Sequence, residues 1–232
     1  MNEFIAMRKS IRKYDMTPLD DGVLVQIAAQ IEALRPLYSD IAYSVEMATK
    51  TKGLFNIKAP YYLIFGSQIK DGAYENIGFI GQQMDLFFAE AGIGACWLGA
   101  SKPTEPEDSP LPCVICMAFG RPAEPLYREP SAFKRKPLSA ISEGVDKRLE
   151  AARLAPSAIN GQNWYFIADK GKIHCYCKKL NPIQALIYDK MVQIDMGIAL
   201  CHIAEAGGSF HFGKEADPPQ RKGYVYMGTV QP

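Results

Sequence analysis

Two groups of polar residues in this sequence have types and spacings suited to binding a small anion. Near the N-terminus, Arg8, Ser10 and Arg12 occupy every second position. On an extended segment this spacing points all three side chains the same way, so that two guanidinium groups and a hydroxyl can converge on one ligand. A phosphate group suits such a cluster. The alternative is a solvated basic segment without a binding role.

The second group lies in the turn LAPSAINGQNW at residues 154–164, between a predicted helix and a predicted strand. Ser157, Asn160 and Gln162 supply more hydrogen-bonding groups than a turn requires. Serine and asparagine also stabilise turns by bonding their own backbone, which is the alternative interpretation. This turn is therefore a second candidate binding segment.

The composition limits the classes of protein to which the chain can belong. Its 232 residues are 48% hydrophobic and 22% charged, which excludes a disordered chain and a coiled-coil rod. Because the net charge is only +1, we expect neither nucleic acid nor a membrane as a partner. The sequence has no apolar run of roughly 18 residues and no secretory signal, so a cytoplasmic location is predicted.

The six cysteines are too sparse for a disulfide scaffold and are predicted to be reduced. Cys113 and Cys116 form a C-x-x-C motif in a predicted strand, where alternation should point them to opposite faces. We therefore predict neither a metal site nor a disulfide there. A zinc site built together with Cys175 and Cys177 is the alternative.

Hydrophobic periodicity predicts the elements that position these groups. Helices are predicted at residues 21–34, 77–91, 145–154 and 184–206, strands at 59–67, 113–119, 164–168, 172–178 and 224–228, and a proline-rich loop at 101–112. A basic, proline-containing segment at 130–144 separates two parts that each contain a long apolar helix. We therefore place an internal boundary between residues 143 and 144.

Several segments taken together resemble the FMN-dependent nitroreductase family. They are RKSIRKY near the start, GIGACWLGA at residues 92–100, MAFGRPAE, FKRKPLSAI and LAPSAINGQNW. Each segment is a weak signal alone, whereas their combination is specific and covers most of the chain. The resemblance implies an α+β fold with a mostly antiparallel sheet sandwiched by helices.

The order of these segments differs from the family pattern. In ordinary members the A-P-S turn follows the first helix, but here residues 34–40 occupy that place and the turn comes at 155–164. Ordinary members are homodimers in which one subunit supplies the basic start and the other supplies the turn. The chain thus resembles a pseudo-dimer of two diverged, fused halves, residues 1–143 and 144–232, with one complete site and the ability to exist as a monomer.

The resemblance also implies roles for individual residues. Arg8, Ser10 and Arg135 would hold the FMN phosphate, with Lys134 as a further charge, and Arg12 would reach the pyrimidine edge of the flavin. Leu98 and Gly99 would bring backbone close to the ring, and the second half would contribute Pro156, Ser157, Asn160 and Gln162. Asn163 replaces the proline of the family pattern, which bears on the Gln162 contact.

The function implied is electron transfer from NADH or NADPH, through FMN, to small electron-poor acceptors such as nitroaromatics or quinones. Because the cofactor carries this chemistry, no catalytic protein residue is predicted. The alternative is a flavin-binding carrier or sensor with little turnover. A metal or redox-thiol protein built on the cysteines is a third hypothesis.

Overall fold

The computed structural model describes residues 2–54, 57–104 and 110–231. The first part of the chain contains α1 (Asp21–Glu32), β1 (Tyr43–Ala48), β2 (Thr51–Gly53), β3 (Tyr61–Ser67), α2 (Ala73–Glu90), β4 (Gly94–Leu98), β5 (Ser101–Pro103) and β6 (Cys113–Gly120). The second part contains α3 (Leu138–Ile141), β7 (Ser142–Glu143), α4 (Leu149–Leu154), β8 (Trp164–Asp169), β9 (Lys172–Lys178), α5 (Pro182–Glu205), β10 (His211–Gly213) and β11 (Tyr224–Gln231).

Most of the predicted elements are present. The helix predicted at 145–154 begins later, at Leu149, because the Asp146 carboxylate accepts hydrogen bonds from the backbone and guanidinium of Arg148 and holds a turn there. Periodicity missed β1, β2, β4, β5, β7 and β10, all short strands that lie at a sheet edge. The loop predicted at 101–112 begins with β5, and residues 105–109 lie outside the described part of the chain.

The strands form two main sheets with the same internal order. The first sheet runs β1-β3-β6-β4 and is antiparallel throughout. The second runs β8-β9-β11-β10, also antiparallel, with β7 added in parallel beside β8. In each sheet the four main strands therefore lie in the sequence order first, second, fourth, third. This repeat confirms an α+β fold made of two similar halves, while the boundary at 143/144 stays a prediction.

The two long helices pack against each other, α2 also against the first sheet and α5 against the second. The sequence predicted one sheet between helix layers, whereas the structure has one sheet per half with the helix pair between them. Two glycines permit the close crossing, since a Cβ at Gly78 would meet the carbonyl oxygen of Ile194 and one at Gly197 that of Glu75. Gly78 follows Glu75 by three positions, and Gly197 follows Ile194 by three, so each glycine lies three residues after the residue that the other glycine contacts. Gly78 and Gly197 are therefore equivalent in the two halves.

The prediction that Cys113 and Cys116 face opposite sides of their strand is wrong. Their Sγ atoms lie 3.9 Å apart. The register of β6 against β3 shifts between Phe65 and Gly66, and this β-bulge interrupts the alternation of side chains. All six cysteines are free of disulfides.

Among the described residues, no helix has both the length and the apolar character needed to cross a membrane.

Candidate functional site

A cavity of about 600 Å³ lies where the two halves meet. One part of its wall comes from the N-terminal segment and from β4 with the residues after it, and another from the turn after α4 and from α5. Its lining includes Ser10, Arg12, Cys96, Trp97, Leu98, Gly99, Pro156, Ser157, Ala158, Tyr188, Met191 and Asp195. Neither half contains the complete cavity.

Six of the predicted site residues line this cavity: Ser10, Arg12, Leu98, Gly99, Pro156 and Ser157. Arg12 has an exposed side chain, and its guanidinium makes no hydrogen bond or ion pair with any described residue. Its backbone N–H donates to Glu124 Oε1 at 2.7 Å. The main chain is thus held in place while the guanidinium is available to a ligand.

Arg8 does not line the cavity, because its side chain points into the protein. Its Nε lies 2.7 Å from Asp85 Oδ2, and the two side chains are only 1% and 2% exposed. Its Nη2 donates to Ser10 Oγ at 3.4 Å, while Nη1 is buried without a hydrogen-bond partner among the described residues. Arg8 therefore joins the cavity residue Ser10 to the buried carboxylate of α2.

Arg128 and Arg135 both contact the Phe133 ring and lie near Arg8. Their Cζ atoms are 4.6 Å and 5.4 Å from the Phe133 ring centroid. Burial, together with the repulsion of neighbouring arginines that include Arg8, lowers the pKa of each to about 10. The Nε atoms of Arg128 and Arg135 are also buried without a hydrogen-bond partner in the described structure. An anion would relieve this repulsion and satisfy these donors.

Sequence reasoning missed Arg128, although a signal was available. Arg128 lies two residues before the basic, proline-containing segment that holds Lys134 and Arg135. Its backbone N–H donates to Met7 O at 2.9 Å, and Tyr127 forms a β-bridge with Arg8. This pairing brings Arg128 to the N-terminal basic cluster, but nothing local in the sequence predicts it.

The other predicted residues, Lys134, Arg135, Asn160 and Gln162, do not line the cavity. They tie the basic segment to the turn after α4. Asn160 Oδ1 accepts from Arg135 Nη1 at 2.6 Å, and Asn160 Nδ2 donates to Lys134 O at 2.8 Å. Gln162 is 3% exposed, and its Oε1 accepts from the backbone N–H of Lys136 at 2.7 Å. These contacts set the shape of the turn that carries Pro156 and Ser157 into the cavity.

Asp195 lines the cavity and was also missed. Its side chain is 3% exposed, and its Oδ1 accepts from the backbone N–H of Ala158 at 2.9 Å. Burial raises the pKa of its carboxyl to about 7. An acidic residue in the apolar stretch VQIDMGIAL of a long helix was the signal that could have found it.

The profile of a protein family described as "Putative TM nitroreductase" matches residues 1–207. The chain belongs to this nitroreductase family. Membership places the protein among oxidoreductases and confirms the resemblance of its motifs. None of the curated proteins compared with it matches.

Solved structures also resemble this protein. A putative nitroreductase from Thermotoga maritima MSB8 has a TM-score of 0.67 and 20% identity, covering 99% of this chain and 93% of that chain. A nitroreductase family protein from Clostridium difficile 630 has a TM-score of 0.46 and 14% identity, covering 60% and 95%. An FMN-dependent nitroreductase from Clostridium difficile R20291 has a TM-score of 0.44 and 16% identity, covering 58% and 95%. The first of these likenesses extends the nitroreductase fold over almost the whole chain.

Proposed function

We propose that this protein is an FMN-dependent oxidoreductase that takes electrons from NADH or NADPH and passes them to small electron-poor acceptors such as quinones or nitroaromatics. The observation that carries the proposal is the cavity between the halves, beside a cluster of arginines with buried, unpartnered donors. Clustered arginines with only one buried counter-charge are costly unless an anion joins them. A ligand with a flat ring and a phosphate suits both features.

The residues present fit FMN. The cavity volume of about 600 Å³ falls within the roughly 300–1,000 Å³ common for ligand sites. Ser10, Arg128 and Arg135 would hold the phosphate, with Lys134 and the buried Arg8 as further charges beside it. Arg12, Leu98, Gly99, Pro156 and Ser157 would surround the ring, while Asn160 and Gln162 would keep the turn in shape. When bound, FMN would supply the ability to accept a hydride and release electrons.

Arg12 would tune this chemistry because its guanidinium is the cationic group that lines the cavity in the described part of the chain. A fixed positive charge favours a bound group that gains negative charge on reduction. The partly apolar walls, from residues such as Trp97, Leu98 and Ile198, suit a flat aromatic acceptor.

We further propose one such site per chain. Asn76 and Asp195 are equivalent, since each lies two residues before one of the paired glycines. Asn76 Oδ1 accepts from the backbone N–H of Tyr38, just as Asp195 Oδ1 accepts from that of Ala158. Tyr38 is therefore the residue of the first half that is equivalent to the cavity residue Ala158. The Tyr38 ring contacts that of Phe212, with centroids 6.1 Å apart. An aromatic ring therefore fills the equivalent position in the first half.

With both halves in one chain, we propose that the protein is a pseudo-dimer able to exist as a monomer. A cytoplasmic location is part of the same proposal, supported by the buried thiols of Cys96, Cys175, Cys177 and Cys201, which suit a reducing compartment.

The decisive experiment is the visible spectrum of the purified protein, before and after anaerobic addition of NADPH or NADH. A yellow protein that bleaches supports the enzyme, and the bleached form should regain its colour when a quinone is added. Yellow that persists would favour the alternative of a flavin-binding carrier or sensor. A colourless protein that does not take up added FMN would contradict both.

A further inference from the structure

Asp195 is the acidic residue among the described residues that line the cavity. Only Oδ1 of its carboxyl has a hydrogen-bond partner, the backbone N–H of Ala158 at 2.9 Å. Oδ2 is buried and has no hydrogen-bond partner in the described structure. A buried carboxyl oxygen without a partner is costly, and such an oxygen in a cavity wall is explained if a ligand engages it.

The duplicated fold shows what this position requires for stability alone. Asn76, the equivalent residue of the first half, accepts from the backbone N–H groups of Leu37 at 2.7 Å and Tyr38 at 3.0 Å. A neutral amide therefore suffices to hold the turn after the preceding helix. Of these two equivalent positions, the one that faces the cavity has the carboxyl. The need to hold the turn therefore does not explain why residue 195 is an aspartate.

We propose that Asp195 donates a hydrogen bond, and then a proton, to the electron acceptor bound in this cavity. The inference rests on the proposed function, and it assigns a catalytic residue where the sequence predicted none. The free Oδ2 is the atom that would carry the proton. Oδ1 stays fixed by Ala158, which restricts the direction in which Oδ2 can point.

The surroundings of Asp195 keep its carboxyl protonated up to a much higher pH than an exposed aspartic acid. Burial raises its pKa to about 7, a value matched to a proton donor working at physiological pH. The thiols of Cys96 and Cys177, whose pKa values burial also raises, are neutral there. The other titratable or charged groups nearby are Arg12 and Tyr188 in the cavity wall, and Glu75 and Asp189, which act with Asp195 on Cys177.

The step balances for a quinone acceptor. Reduction to the quinol requires two electrons and two protons, and the hydride equivalent from the nicotinamide donor brings both electrons and one proton. The second proton comes from Asp195, whose O–H bond breaks as an O–H bond forms on the acceptor oxygen. The carboxylate left behind regains its proton from water.

The test compares two acceptors that differ in their need for a proton. 1,4-Naphthoquinone requires one, whereas ferricyanide accepts single electrons without a proton. In stopped-flow experiments on the flavin-loaded, reduced protein, Asp195→Asn should slow naphthoquinone reduction roughly 100-fold, the scale of general acid catalysis. The decline of the wild-type rate above pH 7 should also disappear, while the ferricyanide rate stays the same.

Glu75→Gln is the matched control. Burial also raises the pKa of Glu75 to about 7, but Glu75 does not line the cavity. This variant should keep the wild-type rates and pH profile with both acceptors. If Asp195→Asn changes neither rate, or lowers both equally, the proposal is wrong.

A binding measurement separates this inference from the proposed function. Trp97 lines the cavity, so naphthoquinone bound to flavin-free protein should quench its fluorescence. Binding to wild type should weaken above pH 7, and binding to Asp195→Asn should not vary with pH. A wild-type affinity that is constant from pH 6 to 8 would overturn the proposal even if the flavin is reduced normally. A protein whose flavin is not bleached by NADPH would contradict the proposed function instead. The fluorescence titration would then still test whether Asp195 donates a hydrogen bond to the bound quinone.

If Asp195→Asn does not fold, the wild type alone decides the proton transfer. A solvent deuterium isotope effect on naphthoquinone reduction, absent with ferricyanide, supports it. The same effect with both acceptors, or none with either, contradicts it.

Discussion

Arg8 Nε and Asp85 Oδ2 form an ion pair at 2.7 Å in which both side chains are almost completely buried. Gln82 Nε2 donates to the same Asp85 oxygen at 2.9 Å. The pair connects the N-terminal basic segment to α2, so the position of Ser10 and Arg12 at the cavity depends on it.

Asp85→Ala should therefore lower the free energy of unfolding by about 3–5 kcal/mol, because it leaves Arg8 buried without a counter-charge. Asp40→Ala is the control, since Asp40 pairs with Lys70 at a similar 2.8 Å but with side chains 76% and 36% exposed. Asp40→Ala should lower the free energy of unfolding by less than about 1 kcal/mol. Urea denaturation measures both, and equal losses would contradict the structural role of the buried pair.

Removing the charges of Arg128 and Arg135 together should release FMN. The double variant Arg128→Gln, Arg135→Gln keeps polar side chains but removes two guanidinium groups whose buried Nε atoms lack a partner in the described structure. Charge-assisted hydrogen bonds are worth roughly 1.5–3 kcal/mol each, so the affinity should fall at least a hundredfold. Flavin fluorescence titration measures this loss. Arg121→Gln, at an arginine paired with the exposed Asp20, is the control, and retained flavin in the double variant would place the phosphate elsewhere.

Arg12→Ala should leave FMN bound but slow its reduction. We expect a loss of roughly 1.5–3 kcal/mol, or about tenfold to a hundredfold in rate, because one charge-assisted contact in the cavity is lost. Stopped-flow bleaching by NADPH measures the rate. Lys13→Ala removes a neighbouring exposed charge that does not line the cavity and should have no effect. An unchanged rate in Arg12→Ala would refute its assignment to the ring.

The stability of the wild type should fall, relative to Asp195→Asn, as the pH rises from about 4 to about 7. Burial raises the pKa of Asp195 from 3.8 to about 7, so in this interval the folded state holds a proton that the unfolded state has lost. The stabilisation is complete below the unfolded pKa, and the difference between the two proteins should level off above pH 7. Thermal unfolding from pH 4 to 8 measures it, and parallel curves would show that Asp195 is not buried as described.

The chain should bind one FMN and be able to exist as a monomer. Tyr38 fills the position in the first half that is equivalent to Ala158, so a ring stands where a second site would need space. Flavin absorbance against protein concentration, combined with light scattering, measures both quantities. Two flavins per chain would contradict the asymmetry between the halves, and a dimer that persists on dilution would indicate a site shared between chains.

The sequence by itself predicted the long helices, most central strands and the segments that identify the nitroreductase family. These features are local, since helix periodicity, strand composition and turn chemistry depend on residues a few positions apart. Ser10, Arg12, Leu98, Gly99, Pro156 and Ser157 belong to such segments, and all of them line the cavity.

Only the tertiary structure decided which side chains turn towards the cavity and which turn away. Arg8 belongs to the same basic motif as Arg12, but it points inward because Asp85, far along the chain, lies where it can pair. Arg128 joins the arginine cluster through pairing with the N-terminal segment, and Asp195 reaches the cavity because α5 packs beside the turn at Ala158. Such partners are distant in sequence, and packing, which no local pattern encodes, brings them together.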